Sequence, residues 1–399
     1  MDNKSLLDGV RIIDLSRVLA GPFCTMILGD LGADVIKIER PELGDDTRHW
    51  GPPFAQGGES AYFLSINRNK RSLTLNVRSE EGLQILKELI QTGDVLVENF
   101  RTGTLEHWGL DYEALQRIRP GLIYCSITGY GHTGPYRHRA GYDILAQAMG
   151  GFMSVTGPAD GEPHRAGVAI ADLAAGMFAA QAILAALYRH EKDGSGQCID
   201  MALLDSQIAL MTYVASNYLI TSQVPQRLGN AHPNIVPYEV FKAQDGFFAF
   251  GAGNDGQWKT FSETVGHPEW ATDERFATNP QRVSHREELI QLLKELFLQR
   301  DMEEWLSLCE EMGLPAAPIH SLDRVFSDPQ SIAREMRVEV QHPTAGIVSL
   351  VGSAHKIPTS PPTLRFPPPL LGQHTEEILQ ELLGYEPETI ESLRENGVV

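Results

Sequence analysis

Short apolar runs and amphipathic stretches alternate along the first half of the chain. Residues 10–15 (Val-Arg-Ile-Ile-Asp-Leu) predict a strand, residues 20–32 a helix with Pro22 in its first turn and Gly32 at its stop, and residues 34–39 a second strand. Residues 72–78 and 94–98 predict two more strands, with an amphipathic helix at 80–92 between them and a further helical stretch at 105–118. Residues 122–128 form the next strand, which runs into the glycine-rich turn Gly129-Tyr-Gly. Strands alternating with helices over short connections predict a parallel sheet covered on both faces.

Helical patterning continues at 144–149, through a long apolar run at 173–188, and at 206–220. The run at 173–188 is short for a membrane span and contains Gln181, so it predicts a buried helix. Between Ser222 and Pro237 prolines replace periodicity, and a domain boundary is expected there. Residues 238–243 and 247–251 predict a hairpin about Gln244-Asp-Gly, which opens into a glycine-rich loop, Gly251 to Gln257, directly before a helix. Helices at 285–299 and 302–312 complete a small α+β unit. A second hairpin follows at 338–351, then a proline-rich crossing arm at 358–369 and two short terminal helices. A chain of 399 residues exceeds one ordinary core, so two domains or one large insertion are expected.

Charge narrows the function. With 52 acidic against 33 basic residues the net charge is −19, which argues against nucleic-acid binding and for a soluble protein whose anion sites are local. The densest basic cluster is Arg68, Lys70 and Arg71 with Arg40 and Arg78, either a solvated surface turn or a phosphate clamp. Cys24, Cys125, Cys198 and Cys309 show no metal or disulfide spacing, and the N-terminus has no secretory pattern, so a reducing, cytoplasmic setting is expected. The opening strand-helix-strand unit lacks GxGxxG, its turn reading Arg17-Val-Leu-Ala-Gly-Pro, which disfavours a nicotinamide site despite Glu39 in the place of a ribose acid.

Asp172 stands alone among Ala, Gly and aliphatic residues at the head of the long apolar run. It reads either as the N-cap of that helix or as a nucleophile left open by small neighbours that make room for a substrate.

Taken together, several motifs resemble the class III coenzyme A (CoA) transferases, the formyl-CoA and carnitine CoA-transferase family. They include the opening Gly9 to Pro22, Leu31-Gly-Ala-Asp-Val-Ile-Lys-Ile-Glu-Arg, Asn69-Lys-Arg-Ser, Val97-Glu-Asn-Phe, Gly129-Tyr-Gly, Gly141-Tyr-Asp, Ala171-Asp-Leu and the Gly251 loop. The resemblance implies an α/β fold: a Rossmann-like large domain from residues 1–222, completed by a return arm at 331–399, a small α+β domain at 223–330, and an interlocked homodimer. It further implies acyl-CoA and a carboxylic acid as substrates, with no metal, nicotinamide, nucleic acid or membrane. Asp172 becomes the nucleophile, forming an aspartyl anhydride and then an aspartyl-CoA thioester. CoA contacts fall on Arg17, Val18, Leu19, Arg40, Leu75, Arg78, Asn99, Phe100, Arg101 and His107, the last a departure from the Arg or Lys common in relatives. Backbone N–H groups about Gly251 and Gly253 are candidate oxyanion donors.

Asp45 to Phe54, Ile235-Val-Pro-Tyr, Pro367 to Thr375 and the terminal Gly397-Val-Val resemble the succinate/glutarate and 3-hydroxy-3-methylglutarate CoA-transferases, which implies dicarboxylic acids. Tyr142, Arg48, Arg139 and Arg165 are then candidate substrate contacts, and Asp143 either orients substrate or caps the helix that follows it. The alternatives are an α-methylacyl-CoA racemase-like isomerase, disfavoured because Tyr142 replaces the racemase histidine, and a non-catalytic CoA-binding protein.

Overall fold

The computed structural model describes residues 5–399; the first four, part of the N-terminus read for a leader, lie outside the described residues. Six strands, β1 (Arg11–Asp14), β2 (Asp34–Glu39), β3 (Lys70–Thr74), β4 (Val95–Glu98), β5 (Ile123–Thr128) and β6 (Gln197–Ala202), form one parallel sheet. Their order is β3-β2-β1-β4-β5-β6. The winding reverses between β1 and β4, and at such a point the loops leaving neighbouring strands part, opening a crevice beyond the carboxyl ends.

The strand period of two sends adjacent residues of β1 into different cores. Ile13 packs with Ile85 and Leu89 of the helix Glu80–Thr92 and with Ile378 and Leu393 of the two terminal helices. Ile12 packs on the other face with Cys24 and Leu28 of the helix Ala20–Asp30 and with Ala175, Ala179 and Ile183 of the helix Ile170–Asp193. This last helix is long and apolar enough to cross a membrane by length and composition, yet its alanine face lies in the interior. A Cβ on Gly176 would stand 2.7 Å from the carbonyl oxygen of Ala20. The small residues of this helix therefore serve close helix packing.

β3 is an edge strand, which left bare would invite pairing with another chain. The C-terminal return covers it. Phe366 accepts the Asn69 N–H at 3.0 Å, His374 Nδ1 accepts the Ser72 N–H at 3.1 Å, Thr375 Oγ1 accepts the Thr74 N–H at 3.0 Å, and Val398 accepts the Asn76 N–H at 2.7 Å.

The chain divides into two compact units, Met1–Gly151 with Ala166–Met211 and Pro329–Val399, and Phe152–Arg165 with Thr212–Asp328. The passage between them comes earlier than residue 222. The helical run expected at 206–220 is broken, with Leu203–Ala209 in the first unit and Thr212–Thr221 in the second, and Thr212 has φ of 35°. The stretch 105–118 is likewise two helices, Thr104–His107 and Tyr112–Ile118, separated where Gly109 takes φ of 68°.

The second unit holds an antiparallel sheet of β7 (Tyr238–Lys242), β8 (Phe247–Gly251) and β9 (Ala316–Pro318). The β7–β8 turn closes with Ala243 donating to Gly246 at 2.9 Å. Its core is aromatic: Phe250 and Phe297 pack against Phe241, and Trp258 and Trp305 are buried beside them.

Candidate active site

The crevice at the switch point is tied together by two hydrogen bonds. The Asn99 amide, just past β4, accepts the Arg17 N–H at 2.9 Å and donates to the Arg17 carbonyl at 2.7 Å, just past β1. Arg17 and Phe100 line two hollows at once. The larger, of 530 Å³, runs past the ends of β2 and β3 and is lined by Arg40, Leu75, Arg78, Thr104 and Trp108. The smaller, of 180 Å³, is lined by Val18, Leu19, Asn99, Arg101, Tyr142, Asp143 and Asp172. His107 sits with Arg78 and Trp108 on a side hollow of 400 Å³.

Beneath this crevice lie buried charges. Lys37 Nζ is 2.9 Å from Asp45, Lys70 Nζ is 3.1 Å from Asp14, and Arg48 donates two bonds to Glu39 at 2.7 and 2.8 Å. Burial pushes the Asp45 carboxyl up, but the charge and hydrogen bond of Lys37 outweigh it and hold it at about 2. Fixed as an anion, Asp45 accepts the Val18 N–H at 3.2 Å. Val18 has φ of 68°, a conformation costly for a β-branched residue, so the loop that lines the smaller hollow is held in place by the charge below it.

The basic cluster resolves differently from either reading of it. Arg68 pairs with Asp30 at 2.6 Å, Lys70 with Asp14, and Arg71 with Asp34 at 2.7 Å and with Glu377 and Glu381. All three are buried structural partners, neither a solvated face nor a clamp. Only Arg40 and Arg78 of the cluster face the larger hollow. Arg17 and Arg40 both reach Asp46, at 2.9 and 3.3 Å, so the two guanidinium groups stand side by side at its rim.

Asp172 lies in the first turn of the helix Ile170–Asp193, whose N-cap position is Ala169, so it is not the cap. The capping carboxylate is Asp143, which accepts N–H bonds from Ala171 at 2.9 Å and Asp172 at 3.4 Å. Its other oxygen accepts from Gln147 at 2.6 Å, and Gln147 accepts the Ala166 N–H at 2.8 Å. Asp143 thus caps a helix distant in sequence rather than the helix that it begins. What brings it there is a contact between two glycines: a Cβ on Gly129 would lie 2.4 Å from the Cα of Gly141. The motifs Gly129-Tyr-Gly and Gly141-Tyr-Asp are two halves of one backbone crossing.

The Asp172 carboxyl is pushed up to about 7, first by burial and then by the negative charge of Asp143. A carboxylate so placed is a stronger base when ionised than one in water, and is poorly solvated. Tyr62 senses it: its phenol is pushed up to about 12 by burial and then by the Asp172 charge. Tyr62, with Trp50 against it at 5.2 Å, was not singled out from sequence; it lies beyond the polar loop after β2, and a lone tyrosine carries no spacing signal.

Of the other candidate residues, Arg139 and Tyr142 line the Asp172 hollow, and Arg137 joins them unforeseen. Arg48 does not; both of its donor faces are taken by Glu39 and by the carbonyl of Pro369. Arg165 belongs to the second unit. So do Gly251, whose N–H goes to Pro315 at 3.1 Å, and Gly253, whose N–H goes to the Gln257 side chain at 2.8 Å. Among the described residues no cluster of three or more His, Cys, Asp or Glu is arranged to hold a metal.

The first unit therefore offers a long, arginine-rimmed crevice that leads to one poorly solvated carboxylate, an arrangement suited to a long phosphorylated substrate with a reactive carbonyl at its end. The family model for CoA-transferase family III matches residues 7–375. The chain is 50% identical to the succinyl-CoA:glutarate CoA-transferase of Mus musculus, over 100% of this chain and 91% of that one. It is 45% identical to the succinate–glutarate CoA-transferase of Agrobacterium fabrum, over 98% of each. A CAIB/BAIF family protein from Brucella suis, known from its crystal structure, superposes with a TM-score of 0.84 at 46% identity, covering 95% of this chain and 100% of that one. Matched along nearly its whole length by family and relatives alike, the chain belongs to CoA-transferase family III and is a class III CoA-transferase.

Proposed function

We propose that this enzyme moves CoA between dicarboxylic acids of four to six carbons, with Asp172 as the nucleophile. The observation that carries the mechanism is the Asp172 carboxylate itself, half-buried in the smaller hollow beside Asp143 with its carboxyl pushed up to about 7. The dicarboxylate class is supported by the substrates named for the relatives at 50% and 45% identity.

In the proposed sequence, an Asp172 oxygen attacks the thioester carbonyl, the C–S bond breaks, and the CoA thiolate leaves a mixed anhydride. The thiolate attacks the Asp172 carbonyl carbon of that anhydride, its C–O bond breaks, and the donor acid departs as a carboxylate. Asp172 then carries CoA as a thioester. An acceptor carboxylate attacks the Asp172 carbonyl and releases thiolate, which attacks the new acyl group and frees Asp172. Four exchanges leave the proton count unchanged, so Asp172 must begin ionised. The long CoA arm supplies binding energy that holds the carbonyl against a weak nucleophile. Arg17, Arg40 and Arg78 face its phosphates, and Trp108 with Phe100, packed edge-on at 5.4 Å, offers its base an apolar wall.

The test is Asp172→Ala, which is expected to bind CoA normally but to transfer none. The parent enzyme incubated with succinyl-CoA and then borohydride should carry a reduced residue at position 172. Transfer surviving in Asp172→Ala would refute the mechanism.

A further inference from the structure

In the first unit the crevice has charge at both ends, and only one end is explained by CoA. Arg40 and Arg78 line the hollow past β2 and β3, where phosphates would lie. Arg137 and Arg139 line the Asp172 hollow and follow the strand β5 in the chain. In a protein of net charge −19, arginines readily find carboxylates, as Arg48, Arg68 and Arg71 do. Among the described residues Arg137 and Arg139 have none. Arg137 donates to His138 at 3.1 Å, and the Arg139 guanidinium stacks 3.9 Å over the Tyr136 ring. Neighbouring side chains thus orient both groups without neutralising them. Their turn is pinned at its ends by the Gly129–Gly141 contact, and Asp143, next but one to that contact, holds the backbone of Asp172.

We infer that Arg137 and Arg139 together are the receptor for the second carboxylate of the acid being exchanged, and so set the preference for diacids. This rests on the dicarboxylate reading above. The acid enters with one carboxylate at Asp172, and the other end reaches two planar donor forks, which suit carboxylate oxygens in pairs. Removing both guanidinium groups takes away the partners of a diacid's far carboxylate, whereas a monoacid has nothing there to lose.

The experiment compares glutarate with pentanoate as acceptors at saturating succinyl-CoA. In an exchange through an enzyme-bound CoA intermediate, kcat/KM for the acceptor reports the acceptor half-reaction alone. The parent is expected to prefer glutarate, and Arg137→Ala/Arg139→Ala to lower that preference by roughly 10-fold or more while pentanoate and CoA binding change less than about 3-fold. The double lysine variant, which keeps the charge, should recover much of the preference. A parent without preference for glutarate would sink the dicarboxylate reading and this inference with it. A parent that prefers glutarate and a double alanine variant with the same preference would overturn the inference alone.

Discussion

Asp143 accepts the backbone N–H of Asp172 at 3.4 Å, so one carboxylate holds the turn that presents the other. The same contact that steadies the proposed nucleophile also charges its surroundings. Asp143, Tyr62, Tyr142 and the arginines 17, 101, 137 and 139 are the ionisable groups around the Asp172 carboxyl, and of these Asp143 raises it, after burial.

Transfer should therefore rise with pH to a plateau above about 7, since the nucleophile must be ionised and its carboxyl is held at about 7. Asp143→Asn keeps an oxygen to accept the Ala171 N–H and removes the charge, so its acid limb should lie at lower pH than the parent's, still above the ordinary carboxylate range because burial remains. Rate profiles of both proteins between pH 5 and 9 check this; coincident limbs would remove Asp143 from the electrostatics of the site.

Stability should run the other way. A carboxyl raised on folding contributes its full stability below the unfolded value near 3.8, and that contribution is lost as pH rises through about 7. Asp172→Asn should thus resist urea better than the parent at pH 8, by roughly 1–3 kcal/mol for a partly open site, with the gap closing near pH 4. Equal denaturation midpoints at both values would argue against a strained carboxylate.

Arg40→Ala and Arg78→Ala should each raise KM for acyl-CoA, by about 10-fold at low salt, with little change in kcat. The loss should shrink as ionic strength rises, because the parent's own advantage is screened. A fall in kcat with unchanged KM would place these side chains in the chemistry instead.

Arg48→Ala should act on folding and leave substrate preference alone. It strands Glu39 in the interior, at a cost of roughly 3–5 kcal/mol, readable as a lower urea midpoint. Gly176→Ala, which brings a methyl group to 2.7 Å from the Ala20 carbonyl, should cost roughly 1–3 kcal/mol by forcing two helices apart.

The parallel sheet, its two helical faces and the hairpin of the second unit were legible because strand and helix periods repeat locally. Asp172 was visible as an isolated carboxylate, but the residue that caps its helix was not, since Asp143 lies 29 residues away and meets it through a crossing of two glycines. The basic run 68–71 misled for a related reason: the carboxylates that claim it, Asp14, Asp30 and Asp34, stand on other elements, and charge in sequence does not reveal its partners in space. Arg48 stood among the candidate substrate contacts until Glu39 was placed beside it. Arg137 differed from Arg139 in nothing the sequence displays.

The order β3-β2-β1-β4-β5-β6 is that of dinucleotide-binding sheets, yet the first helix, Ala20–Asp30, has Pro22 within its opening turn and Gly21 pressed against Ser16. A proline in that turn has no N–H to give and the turn is crowded, which disfavours a main-chain phosphate cradle, and in the proposed function long side chains at the rim, Arg17, Arg40 and Arg78, take its place. A main-chain cradle is inherited whole, since no single codon can redraw it. A rim of arginines can be revised one position at a time while the sheet beneath stays the same. If the proposed roles hold, descent within this fold can change which acyl-CoA and which acid are exchanged by point replacements along one crevice, with Asp172 untouched.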